Sequence, residues 1–205
     1  MNKHFLIFLS LAIFGLSACK QLSSKIDYNS LPALTENGGI NVVVEIPAGT
    51  NHKIEFRKDK KVFENDLENG QIRVIQFLPY PGNYGFIPST FMDPAQGGDG
   101  DALDVLLIAE AVETGQVVEA RPIATLLLSD NGEIDTKIIA VPIDSEKNLI
   151  KAQNFIEFML EYDAAKRIIE EWFLNYKGLG STELLGWEDE NYAAKEIDKW
   201  ALNNR

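Results

Sequence analysis

Three carboxylates fall within six residues at Asp99-Gly100-Asp101-Ala102-Leu103-Asp104, and a short apolar run, Val105-Leu106-Leu107-Ile108, follows at once. Gly100 frees the backbone to turn, so the side chains on either side of it can aim at one point. Asp104 stands where the chain enters what reads as a buried strand. Carboxylates this close repel one another unless a cation sits among them. Oxygen-only donors select hard ions such as Mg²⁺, Mn²⁺ or Ca²⁺ over zinc. The cluster therefore asks for a fold that presents this loop, anchored on a strand, to a divalent ion. A solvated acidic loop is the plainer alternative. An EF-hand loop is not an alternative. With Asp99 in first position, Leu103 takes the fifth and Asp104 the sixth, where the turn requires glycine.

The sequence around the cluster is strand-like. Ile40-Asn41-Val42-Val43-Val44-Glu45-Ile46 is rich in β-branched residues and stops at Pro47. Residues 54–57 and 71–77 alternate polar with apolar, the mark of strands with one wet face. Residues 117–121 lead into an apolar run, 123–128, then the turn Asp130-Asn131-Gly132, then a further apolar run at 137–141. An Asn-Gly step between apolar runs signals a hairpin. The last third changes period. Asp163 is a candidate N-cap, Ile168, Ile169, Trp172, Phe173 and Tyr176 share one helical face, and Gly178 is a candidate C-cap. A second helix is expected over about 190–202, with Ala193, Ala194, Ile197 and Trp200 inward. No internal repeat is present. The pattern predicts an α+β protein: an antiparallel, barrel-like β core with C-terminal helices packed on it, one domain over residues 40–205.

The formal net charge of -12 argues against nucleic acid as a partner, because phosphate backbones need a basic footprint. The N-terminus has a different character. Met1-Asn2-Lys3-His4 is a short basic start, and the apolar run from Phe5 to Leu16 is too short to span a bilayer but fits a signal-peptide core. Leu16-Ser17-Ala18-Cys19 resembles a bacterial lipobox, in which the leader is cut before a cysteine that is then acylated. Cys19 is the only cysteine, so it has no disulfide partner in the chain. An ordinary secretory signal or a buried helix would be the blander readings. Residues 20–39 are polar, with Pro32 and Gly38-Gly39, and read as a tether. The expectation is a leader over 1–18, a lipidated Cys19 and flexible tether over 19–39, and an exported protein that touches the membrane through its acyl chains only. Self-association into a homo-oligomer is left open.

Further charged residues are weaker signals singly. Asp130 and Asp135 bracket the Asn131-Gly132 turn and would face each other across the hairpin end, although Asp is also a common turn residue. Lys53, Arg73 and Lys137 lie in or beside expected strands. Lys177, after Tyr176, could simply complement a helix dipole. Tyr80-Pro81-Gly82-Asn83-Tyr84-Gly85 is a turn-rich aromatic segment.

Taken together, these residues resemble family I soluble inorganic pyrophosphatase. The signature D-G-D-x-x-D is Asp99 to Asp104. Glu45-Ile46-Pro47-Ala48, Lys53-Ile54-Glu55, the segment Leu78 to Gly85, Asp130 through Lys137, Tyr176-Lys177 and Gly186-Trp187 follow the family in order and approximate spacing. The resemblance implies an OB-like barrel carrying helices, and hydrolysis of pyrophosphate with several Mg²⁺ ions, for which Mn²⁺ can substitute. It implies that Asp99, Asp104 and Asp135 hold the activating metal, with Asp104 bridging to a second. Asp130 and Asp135 would meet metals that arrive with substrate, and Glu45 and Glu55 would lie in the outer part of the site. It implies Asp101 as general base, and Lys53, Arg73, Tyr84, Lys137, Tyr176 and Lys177 as contacts to phosphate oxygens, with Tyr80 lining the cavity. Metal between protein carboxylates and an anionic substrate would reconcile the acidic chain with a phosphate ligand. The stretch from Ile46 to His52 looks about one residue shorter than in familiar bacterial relatives, and Met92 to Gly98 slightly longer; Asp93 there is set aside as a ligand decoy. A hydrolase of short polyphosphates or nucleotides, and an inactive metal- or phosphate-binding lipoprotein, are the competing readings.

Overall fold

A computed structural model describes residues 26–202. The β-branched run expected at the start is a strand, β1 (Ile40–Ile46), buried along nearly its whole length. Two small hairpins follow. One pairs β2 (Ile54–Arg57) with β3 (Val62–Asn65), and the other pairs β4 (Leu67–Glu68) with β5 (Gln71–Ile72). Then come β6 (Asn83–Phe86), β7 (Asp104–Leu107), β8 (Val117–Asp130) and β9 (Glu133–Pro142). The chain ends with α1 (Phe155–Glu161), α2 (Asp163–Asn175), β10 (Thr182–Glu188) and α3 (Glu190–Trp200).

The long strands close into a ring in the order β1-β6-β7-β9-β8, which returns to β1 through its pairing with the first part of β8. Closure removes exposed edges, as in OB-like barrels. β8 can serve two neighbours because its register shifts between Pro122 and Ala124. Pro122 has no N–H to give to a ladder, and a bulge is where a sheet tolerates it. Beyond the shift, residues Thr125–Asp130 pair with β10. The ring is not wholly antiparallel, as the sequence suggested. β7 and β9 run parallel, with Asp104 beside Lys137. At Gly85 the ring is so tight that a Cβ would stand 1.9 Å from the Val43 carbonyl oxygen.

Apolar side chains inside and outside the ring form two large cores. α2 lays Ile169, Trp172 and Phe173 on one, and α3 lays Ala193, Ile197 and Trp200 on the other. Full burial of a side chain such as Phe173 is worth roughly 2–3 kcal/mol. Ile168 and Ala194, expected inward, face solvent. Asp163 is the first residue of α2 rather than its cap, because Tyr162 is both the C-cap of α1 and the N-cap of α2. Gly178 lies beyond the C-cap, which is Tyr176. The alternating run 71–77 forms strand only at Gln71–Ile72. The turn at Asn69-Gly70 folds it back on β4, and Val74 keeps a single bridge to His52. The short helix α1 and the strands β3 and β10 carried no clear period in the sequence.

Residues 27–39, expected as the end of a flexible tether, pack on the ring instead. Asn41 N–H donates to the Ala33 carbonyl at 2.9 Å, Leu34 bridges Ile40, and the Ser89 hydroxyl donates to the Leu31 carbonyl at 2.7 Å. The leader, Cys19 and the first tether residues lie outside the described residues.

Candidate active site

One end of the ring opens into a polar cavity of about 550 Å³. Its floor is built by neighbouring strands. Side chains two apart on a strand share a face, so Asp135 and Lys137 of β9 both point into the cavity, and the parallel register sets Asp104 of β7 beside Lys137. The Lys137 ammonium donates to Asp104 Oδ2 at 2.5 Å, to Asp135 Oδ1, and to the Tyr84 hydroxyl at 2.9 Å. The Tyr84 hydroxyl in turn donates to Asp104 Oδ2 at 2.5 Å. Burial alone would push Lys137 down, but Asp104 and Asp135 hold its pKa well above the ordinary lysine value. Burial would push Asp135 up, and the Lys137 charge and hydrogen bond outweigh it and hold the carboxyl below the usual range. Burial, aided by the nearby Asp104 charge, pushes the Tyr84 hydroxyl up, so it stays a donor.

A second group of side chains forms the rim. Glu45 sits at the bulge of β1, buried, and its Oε1 accepts the Phe56 N–H at 2.7 Å. Burial raises its pKa to about 7 against the pull of Lys53. Lys53 precedes β2, and Glu55 and Arg57 share one face of that strand. Glu55 pairs with Arg57 at 2.8 Å and with Lys53 at 3.7 Å. Arg73 also lines the cavity, its guanidinium donating to Asp66 Oδ2 at 3.4 Å. In the acid loop, Gly100 takes φ +87°, and Asp99 Oδ1 accepts the Asp101 N–H at 2.9 Å. The loop is fixed from below by Met92 N–H to the Asp101 carbonyl at 2.7 Å and by Leu103 N–H to the Thr90 hydroxyl at 2.9 Å. The Asp101 side chain is 79% exposed at the mouth, 3.5 Å from Lys58 Nζ. Asp93 caps the short turn Pro94–Gln96 and does not line the cavity.

Asp130 and Asp135 do not stand opposite each other as expected. Asp130 pairs with Glu133 and Asp135 with Leu128, which makes the two Asp residues diagonal neighbours on one face. Both line the cavity. Lys177 Nζ is bonded to Asp130 Oδ2, and Tyr176 stacks on Trp172 with ring centroids 4.5 Å apart. Tyr80 is the exception among the expected residues. It is buried behind the wall, packed between Tyr84 at 5.4 Å and Trp172 at 4.5 Å, and does not line the cavity. Arg57, Lys58, Asp59 and Glu133 line it without having been singled out. Arg57 could have been found, since it sits two residues after Glu55 on an alternating strand.

Among the described residues no three carboxylates converge as a ready ion cage. The ammonium groups of Lys137 and Lys177 stand between them. The donor set nevertheless suits a hard divalent ion: the cavity lining carries Asp and Glu oxygens but no His or Cys.

Residues 42–204 match the family model described as inorganic pyrophosphatase. The chain belongs to the inorganic pyrophosphatase family. An inorganic pyrophosphatase of Neisseria meningitidis serogroup B is 38% identical over 184 residues, covering 85% of this chain and 97% of the relative. One from Synechocystis is 39% identical, covering 86% of this chain and 98% of the relative. Among solved structures, the inorganic pyrophosphatase of Thermus thermophilus superposes with a TM-score of 0.72 at 28% identity, covering 87% of this chain and 98% of that one. That of Neisseria gonorrhoeae gives a TM-score of 0.67 at 34% identity, covering 86% of this chain and 98% of that one. The family match begins at residue 42, so residues 1–41 lie outside it.

Proposed function

We propose that the chain hydrolyses inorganic pyrophosphate to two orthophosphates. The observation that carries this is the floor of the cavity, where Lys137, Asp104, Asp135 and Tyr84 form one hydrogen-bonded cluster that can serve both a cation and a phosphate oxygen. Asp99, Asp104 and Asp135 would hold divalent ions, most simply Mg²⁺, with Asp130, Glu45 and Glu55 around them. When bound, such ions acidify a water and neutralise phosphate oxygens. The chain's own cations do the rest of the binding. Lys137 and Lys53 reach the anion from the floor and side, and Arg73 and Lys177 from the rim. Tyr84, whose hydroxyl burial keeps protonated, and Tyr176 supply hydroxyl donors that can follow charge as it moves to the leaving phosphate. Asp101, its side chain 79% exposed beside Lys58, would take a proton from an attacking water. Phosphate release from pyrophosphate by the purified full-length chain, measured with Mg²⁺, with a chelator, and for Asp101→Asn, tests this. The expected result is activity abolished by chelator and lowered about 10²–10⁴-fold by the substitution. Activity indifferent to both would sink the mechanism.

We also propose that the chain is exported and lipidated on Cys19. The basic start, the apolar run and the Leu16-Ser17-Ala18-Cys19 spacing support this. Cys19→Ser should move the protein from the membrane fraction to the soluble one; retention in the membrane would count against lipidation.

A further inference from the structure

The hairpin β2–β3 carries Glu55 and Arg57 on its first strand and Lys58 in its turn, yet it is a sheet of its own and shares no ladder with the ring. Two-stranded hairpins are marginal unless something packs on them. Here the packing comes from a segment that precedes the family match. The Tyr28 ring meets Phe56 edge-on at 5.2 Å and Phe63 at 5.1 Å, and these two residues are a cross-strand pair of the hairpin. Phe56 stacks on Phe86 of β6 at 6.1 Å. Val43, Leu31 and Ala102 of the acid loop complete this small core, so the hairpin, the acid loop and residues 28–31 share one apolar seat. Asp27 adds an ion pair to Lys61 at the hairpin turn, at 2.6 Å. Gly115 leaves room for the tyrosine: a Cβ there would stand 3.0 Å from the Tyr28 hydroxyl and 3.1 Å from Phe63.

We infer that residues 27–31 are a strap, and that Tyr28 is a positioning residue that holds the β2–β3 hairpin over the cavity. With the strap seated, Lys58 stays within reach of Asp101 and the cations of the hairpin face the anion. The inference rests on the pyrophosphatase reading for its kinetic consequence but not for its structural one. It also makes activity depend on a segment just after the proposed lipid attachment.

The test compares the full-length chain with Tyr28→Ala and Tyr28→Phe by two readouts. In steady-state hydrolysis of pyrophosphate with Mg²⁺, Tyr28→Ala should raise KM about tenfold with kcat changed by less than about threefold. In amide hydrogen exchange, residues 54–65 should exchange at least about tenfold faster while β8 and β9 keep their native protection. Tyr28→Phe keeps the ring and should match the native protein in both. Native exchange of the hairpin in Tyr28→Ala overturns the strap, as does equal acceleration in β8 and β9, which would mark a merely structural role. A loosened hairpin with unchanged KM overturns the positioning role. If the native chain releases no phosphate, the functional reading fails, and hairpin exchange alone decides the strap.

Discussion

The floor and the rim of the cavity are built by opposite means. The floor stands on β6, β7 and β9, strands locked into the ring, and its charges are mutually bonded around the buried ammonium of Lys137. The rim stands on two hairpins that pair only with themselves and on the acid loop, and its charges are partly wet. Buried charges in a rigid frame fix where an ion or phosphate oxygen must sit, at the cost of strong dependence on every partner. Wet charges on hairpins contribute less each, because solvent screens them, and they can adapt as the anion enters. Substitutions in the two regions should therefore differ in size and in kind.

Lys137→Met should have the largest effect. It removes the ammonium proposed to meet the anion and leaves Asp104 and Asp135 facing each other without it. Activity is expected to fall about 10²–10³-fold, and the metal-free protein to lose about 3–5 kcal/mol. If Asp104 and Asp135 hold the ion as proposed, it would compete with Lys137 for the same carboxylate oxygens, and Mg²⁺ should raise the Tm of Lys137→Met more than that of the native chain. Equal Mg²⁺-induced shifts in Tm would show that the two do not share those oxygens.

The floor and the acid loop were the more legible parts of the site in the sequence, and the reason is geometric. Asp99, Asp101 and Asp104 lie within six residues, and Asp135 and Lys137 are two apart on a strand, so local spacing already places them on one loop or face. The bringing together of Asp104 and Lys137 was not legible, because it needs the single parallel pairing of an otherwise antiparallel ring. The rim was read through Lys53, Glu55 and Arg73, but Lys58 lies in a turn whose composition says only that it is exposed. The tether was misread for a similar reason. Its polar residues hide one aromatic, Tyr28, whose partners Phe56 and Phe63 lie far along the chain. Tyr80 was expected in the cavity only through the family resemblance, whereas its ring packs behind the wall against Trp172.

Glu45 joins the two regions and gives the next effect in size. Its carboxyl is buried, with a pKa raised from 4.5 to about 7, chiefly by burial. A carboxyl whose folded pKa lies above its unfolded value is stabilising neutral and costly ionised. The native protein is therefore expected to lose stability as pH rises from about 4.5 to 7, by up to about 3 kcal/mol. Glu45→Gln keeps an oxygen for the Phe56 N–H and has no charge to ionise. In chelator, its Tm should equal the native value below about pH 4.5, exceed it increasingly up to about pH 7 and then hold a constant lead. Parallel Tm curves for the two proteins would remove Glu45 from the pH response.

Asp66 supplies the smallest effect and the opposite sign. It lies between the hairpins, where Oδ1 accepts from Arg57 at 3.0 Å and Oδ2 from Arg73 at 3.4 Å. Burial would raise its carboxyl, but the two guanidinium groups outweigh it and hold the pKa below the usual aspartate range. Its contribution is thus complete above the ordinary aspartate pKa of about 3.9 and is lost as pH falls through the lower native value. Asp66→Asn should lower stability at neutral pH by less than about 1 kcal/mol, with the difference from native closing as pH falls from the ordinary aspartate pKa through the lower native one. The same substitution frees Arg57 and Arg73 from a shared acceptor. KM for pyrophosphate should rise about threefold while kcat holds, the mark of lost positioning at the rim rather than lost chemistry at the floor. A fall in kcat as large as that of Lys137→Met would erase the distinction between the two regions.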